Sequence, residues 1–103
     1  MKIQQIRRDK DEYMEMLLMA DPCKDVINSY LDKGEMFALV NGGDVCAVCG
    51  VELLKNRKCE LKSIVTRKEE QGKGYAKYLL RHVCEHYGNQ CDTMYAGTGN
   101  RRK

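Results

Sequence analysis

The sequence predicts an α/β fold: a mixed sheet flanked by helices, in the order β-α-α-β-β-β-α-β. Three observations lead there. "MFALV", "NGGD" and "VCAVCGVELL" follow one another as strand, tight turn and strand. A further strand-like run, "CELKSIVT", precedes a glycine pair and an apolar stripe of helical period: Tyr75, Leu79, Leu80, Val83 and Tyr87. A last run, "CDTMYAGT", completes a β–α–β unit, whose strands lie parallel because a helix crosses between them. The chain has 103 residues, the size of one domain, so residues 1–103 are expected to form a single unit.

The remaining elements are read in chain order. Residues 2–7 alternate weakly and give a first strand. Asp9 to Ala20 places Tyr13, Met16, Leu17 and Ala20 at helical spacing, with Asp9 as its N-cap. Met14, Met16 and Met19 suit core packing. Pro22 interrupts that helix. "DPCKDVINSYLDKG" restarts it with the stripe Val26, Ile27, Tyr30 and Leu31, and Gly34 stops it. "KNRK" is the turn before the "CELKSIVT" strand, and Gly88 ends the last helix. There are no repeats, low-complexity tracts or internal linkers.

Composition narrows the function classes. Apolar residues make up 43% and charged residues 32%, the balance of a folded soluble domain. The net charge of +3 equals the charge of Arg101, Arg102 and Lys103 alone, so the body is near neutral and no nucleic-acid partner is expected. No apolar run approaches the ~20 residues that cross a bilayer. "MKIQQIRRDKDEYMEM" holds no apolar signal core, so a cytoplasmic protein is expected. The six cysteines sit inside apolar patterns and are expected to be reduced. "CAVC", Cys46 to Cys49, has no second pair, and strand residues three apart face opposite ways. His82 and His86 lie four apart but lack a matching acidic or cysteine partner. No metal is expected.

The chemistry gathers at "QGKGYA". Glycines at 72 and 74 before a helix leave backbone N–H groups bare and facing an anion. The loop fails the G-x-x-x-x-G-K-[ST] pattern. It also fails G-x-G-x-x-G, because Lys77 stands at the third glycine position. It does satisfy Q/R-x-x-G-x-G/A through Gln71, Gly74 and Ala76, with a strand before it and an amphipathic helix after it. This pattern, with the surrounding element order, resembles the acetyl-CoA signature of the GNAT N-acetyltransferase superfamily over nearly the whole chain.

The resemblance implies a GNAT-like sheet and an N-acetyltransferase that uses acetyl-CoA as cosubstrate and a small amine as acceptor. The amides of Gly72, Lys73, Gly74, Tyr75 and Ala76, with Gln71, would hold the CoA pyrophosphate in a nest at the helix start. Lys73 would meet a phosphate or remain a solvated loop lysine. Pantetheine would pair with the backbone of Ile64, Val65 and Thr66, as an added strand does. Glu60 is the implied general base, Glu52 a weaker candidate, and the backbone N–H near Val65 the oxyanion donor. The family continues past "GTGN" with a helix that carries a tyrosine acid and with further strands. This chain is therefore expected to be a C-terminally shortened domain whose fifth strand leaves an open edge, and a homodimer. Two functions remain in view: an acetyltransferase, and a CoA-binding or oligomerising module without turnover.

Overall fold

The structure, a computed structural model, describes residues 1–96; the "GTGN" turn and the terminal Arg101, Arg102 and Lys103 lie outside the described residues. Its strands form one sheet in chain order: β1 (Lys2–Ile6), β2 (Glu35–Asn41), β3 (Asp44–Leu54), β4 (Lys58–Thr66) and β5 (Thr93–Ala96). The first four pair antiparallel, and β5 pairs parallel to β4. The helices are α1 (Met14–Ala20), α2 (Lys24–Lys33) and α3 (Tyr75–His86). The expected element order and the β–α–β unit are both present.

Strand periodicity divides the core into two layers. In β2, Met36 and Ala38 pack with Met16, Leu17, Ile27, Tyr30 and Leu31 of α1 and α2. Phe37 and Leu39 point the other way, onto Leu79 and Val83 of α3 and onto Tyr87. Successive side chains face opposite sides, so a strand covered on both faces is apolar throughout. The stripe read for α3 is the one it buries. Leu79, Val83 and Tyr87 are fully buried, and Tyr75 and Leu80 pack at the margin. Tyr87 donates its hydroxyl to Glu35, which ties the end of α3 to the start of β2.

Turn chemistry explains the β2–β3 hairpin. Asn41 pairs with Asp44, and Gly42 and Gly43 both take positive φ, 64° and 88°. Two such residues in succession match the right-handed twist of the flanking strands. The next turn puts Asn56 and Arg57 at positive φ without a glycine. It is held from outside: the Arg57 carbonyl accepts the Asp92 N–H at 2.7 Å, and the Arg57 guanidinium reaches Asp92 at 3.1 Å.

Several expectations needed correction. Asp9 does not cap an α-helix. It adopts a left-handed conformation, makes no side-chain cap bond and opens a 3-10 turn over Lys10–Tyr13, with α1 starting only at Met14. Lys10 is engaged elsewhere, donating to the carbonyls of Leu31 and Gly34 at 2.8 and 3.2 Å. These are bare acceptors at the end of α2, where a cation is favoured. Val26 leaves the buried stripe of α2 and is 48% exposed. Met16 is in the core, whereas Met19 faces solvent. β5 begins at Thr93, two residues after Cys91, and the expected Gly97 and Thr98 lie outside the described residues.

Gly34 ends α2 for a reason other than a left-handed stop. Its φ is −108°, which any residue adopts. A Cβ there would lie 2.3 Å from the Val51 carbonyl oxygen and 2.9 Å from that of Tyr30. Both obstacles are backbone and neither yields cheaply. Gly34→Ala is therefore expected to destabilise the fold by at least ~2 kcal/mol through overpacking. Urea unfolding of the two proteins measures this; equal midpoints would show that the α2–β3 contact is looser than the geometry implies.

Candidate active site

β4 carries an irregularity that organises the site. Gly50 of β3 pairs with Ser63, but the next residue, Val51, pairs with Leu61, so Lys62 is an extra residue in β4. Such a bulge shifts the alternation by one. Before it, Cys59 and Leu61 pack on the α3 side. After it, Val65 packs on the α1/α2 side and Ile64 meets the α3 side. Ser63 also faces α2. A Cβ on Gly50 would lie 3.1 Å from the Tyr30 ring and 3.5 Å from the Ser63 hydroxyl. The hydroxyls of Tyr30 and Ser63 are buried and find no hydrogen-bond partner among the described residues. Burial raises the Tyr30 phenol above its ordinary 10.0, with the adjacent Ser63 hydroxyl acting in the opposite sense.

The other edge of β4 is paired over part of its length among the described residues. β5 pairs with Lys58 to Leu61 only, its last described partner being Ala96 opposite Leu61. From Lys62 to Thr66, β4 has no strand neighbour on that side among the described residues. Ile64, Val65 and Thr66 lie on this free stretch. Backbone N–H and C=O groups there are available to a strand-like ligand.

The free edge leads into the glycine loop. Arg67 anchors the end of β4, its backbone N–H and its Nε each donating at 2.8 Å, to the carbonyls of Cys46 and Val45. The Gln71 side chain folds back onto the Thr66 carbonyl at 3.2 Å, so its amide fastens the loop. Gly72 and Gly74 have φ of 84° and 83°, and a Cβ on either would meet nothing within 4 Å. Gly74 is the N-cap of α3, and no side chain caps that end. The first helical bond runs from Tyr78 N–H to Gly74 at 3.0 Å, which leaves the amides of Tyr75, Ala76 and Lys77 without a partner among the described residues. Space before two glycines, bare amides and the positive end of a helix dipole suit an anion. Lys73 is bonded instead to Glu70 at 3.0 Å, and that contact raises its pKa.

Sequence reasoning missed Lys77, Tyr78 and Arg81. With Gly74 they line a groove of about 190 Å³ beside the loop. Lys77 and Arg81, four apart on the polar face of α3, add two positive charges next to the bare amides. Their spacing was the available signal.

The carboxylates collect on the α1/α2 side of the sheet. Glu52 and Glu60 are cross-strand partners, and each keeps about a quarter of its side chain exposed. Lys62 lies between them, its Nζ 3.1 Å from Glu60 and 3.7 Å from Glu52. Tyr95 pairs with Glu60 across β4 and β5 and is 45% exposed. The structure thus brings Glu60 and Glu52 together, with Glu60 two residues before Lys62 on β4. Three cysteines gather elsewhere: Cys59, Cys84 and Cys91 line a cavity of about 330 Å³ with Tyr87 and Met94, and burial pushes the Cys59 thiol up to about 12, with Cys91 beside it acting in the same sense. Cys49 lies in the α3-side core, where burial pushes its thiol up to about 12, while Cys46 turns toward the Asp44 carbonyl at 3.6 Å. His86 packs edge-on against Phe37 and Tyr87.

The chain that carries a bare helix start, a partly unpaired strand and a carboxylate beside it is similar to known proteins. The profile of the Acetyltransferase (GNAT) family matches residues 3–102. The uncharacterized N-acetyltransferase YvbK of Bacillus subtilis (strain 168) is 32% identical over 91 residues, 87% of this chain and 59% of the relative. IAA acetyltransferase from Bacillus cereus ATCC 14579 superposes with a TM-score of 0.75 at 29% identity, covering 85% of this chain and 59% of that one. A Bacillus subtilis acetyltransferase solved in complex with CoA gives a TM-score of 0.79 at 27% identity, covering 85% and 58%. The chain therefore spans less than two thirds of the length of these relatives. The family expected from the glycine loop and element order is borne out: the chain belongs to the acetyltransferase (GNAT) family.

Proposed function

We propose that this chain binds acetyl-CoA and carries the donor side of an N-acetyltransferase whose acceptor is a primary amine of a small molecule or peptide. One observation supports this above the rest. The stretch Lys62–Thr66 of β4, which has no β5 partner among the described residues, runs straight into the uncapped start of α3. A pyrophosphate would sit on the amides of Gly72 to Ala76, with Lys77 and Arg81 adding to the positive field. The amide groups of pantetheine would pair with Ile64, Val65 and Thr66. The donor's reacting end then falls near the bulge, on the strand that carries Glu60.

The chemistry asks for what that corner holds. An alkyl amine has a pKa of ~10.4 and must lose a proton before it attacks. Glu60 is the group we assign to that proton, with Glu52 beside it. A backbone N–H of β4 beyond the bulge is the donor we assign to the developing oxyanion. The second reading, a module that holds CoA without turnover, is favoured by one contact. Lys62 already occupies Glu60 at 3.1 Å, which would oppose its use as a base.

A homodimer is part of the proposal. β5 has no strand on its outer side among the described residues, and its Tyr95 is half-exposed. An open edge with an aromatic side chain is suited to pairing with a second copy across a two-fold axis. The six free thiols fit a reducing, cytoplasmic setting.

Three measurements test this reading. Gly74→Asp adds a side chain at a φ of 83° and a negative charge against the pyrophosphate; it is expected to abolish CoA binding in calorimetry while retaining a cooperative melt. Wild-type affinity in that variant would remove the loop from the site. Glu60→Gln is expected to lower acetyl transfer to an amine panel, followed as thiol release, by about 10²–10⁴-fold with CoA binding intact. Turnover unchanged by the substitution would exclude Glu60 as the base, and CoA binding with no turnover in the wild-type protein would favour the binding module. Sedimentation at micromolar concentration is expected to give a dimer; a single monomeric species would count against the edge-pairing interface.

A further inference from the structure

Lys62 is placed unlike any other lysine of the described chain. It is the bulged residue of β4 and directly follows Leu61, the last residue of β4 with a β5 partner among the described residues. Its side chain is 28% exposed, and its Nζ is held 3.1 Å from Glu60 and 3.7 Å from Glu52. The assigned base of the reaction is therefore already bonded to an amine. Two carboxylates sharing one ammonium is also a stable charge arrangement, and such pairs often contribute only modestly to stability. What separates Lys62 from a structural ion pair is its position at the inner end of the free edge.

We propose that Lys62 is itself an acetyl acceptor, modified in cis by acetyl-CoA bound along β4. This rests on the binding mode given above. With the pyrophosphate at Gly72–Ala76 and pantetheine beside Ile64–Thr66, the thioester points toward residues 62 and 63. An amine tethered to the same strand reacts without the entropy cost of a second binding event, and that advantage is large. In the balanced step, the first ammonium proton of Lys62 passes to Glu60 and on to solvent. The Nζ lone pair attacks the thioester carbonyl carbon. The C–N bond forms and the C–S bond breaks. The second N–H proton ends on the leaving sulfur, so the products are Nε-acetyl-Lys62, CoA thiol and one proton released. The acetylated side chain no longer carries the charge that neutralises Glu52 and Glu60.

Peptide mass spectrometry of the whole chain after incubation with acetyl-CoA tests this, with acetyl occupancy followed at each lysine. Lys62 is expected to be modified at least about tenfold faster than the exposed Lys24 and Lys33, and Glu60→Gln is expected to bring it down to their rate. Glu60→Asp, which withdraws the carboxylate by one methylene, gives the same comparison if the amide variant does not fold. Occupancy at Lys62 no greater than at the exposed lysines, in protein that binds CoA by calorimetry, would overturn the inference and leave the proposed function standing. Modification of Lys62 that is fast but indifferent to both Glu60 variants would overturn it as well. Failure of the wild-type protein to bind CoA would overturn the parent reading and this one together.

Discussion

The single extra residue in β4 is the constraint on which the rest of the site depends. Residues 58–66 read as a regular strand in which every second side chain is buried. Without the bulge, Cys59, Leu61, Ser63 and Val65 would all face α3. With it, the first two serve the α3-side core, while Ser63 and Val65 serve the core under α1 and α2. Both helical layers thereby draw on one strand. Lys62 itself keeps the side of Glu52 and Glu60, as a regular strand would place it, and it directly follows the last described partner of β5 on β4, Leu61. The packing of both layers against one strand is the consequence of one register change.

That constraint was invisible in the sequence because an alternating pattern survives it. "CELKSIVT" shows the same alternation whether or not a bulge flips its second half, and only the β3 register reveals the flip. α3 was legible because its apolar residues recur at helical spacing and its start is marked by glycines needing positive φ. The β2–β3 hairpin was legible because two glycines in a two-residue turn leave few alternatives. The first helix was misjudged at its start. Asp9 has the chemistry of a cap, but it lies in a left-handed conformation and Lys10 is drawn to the carbonyls at the end of α2. Val26 fits the period of α2, yet α1 and the sheet cover only Ile27, Tyr30 and Leu31.

The site was partly legible on the same grounds. Gln71, Gly72, Gly74 and Ala76 stand out locally, since backbone conformation and helix capping are decided within a few residues. Glu60 could be named only by resemblance. Its partnership with Glu52 and Lys62 depends on cross-strand register, which a single sequence does not display. Lys77 and Arg81 were overlooked because polar residues on an amphipathic helix ordinarily serve solvation, and only their groove beside Gly74 distinguishes them. The loop is also less free than its glycines suggest. Gln71 and Arg67 fasten it to β4 and β3, so the bare amides stand on a fixed base.

The order of the strands bears on how the molecule assembles. Sheet neighbours are chain neighbours throughout, and β2, β3 and β4 are joined by turns of only a few residues. Short loops close at little entropic cost, so this three-strand meander holds the low contact order from which folding starts readily. β1 must wait for α1 and α2, and β5 for α3, because each closes a much longer loop. The meander contains the bulge, Glu52, Glu60 and the whole free edge of β4. The part of the candidate site that carries Glu52, Glu60 and the edge of β4 is thus the part of the chain built to form early, and the helix start with its bare amides is added to it afterwards.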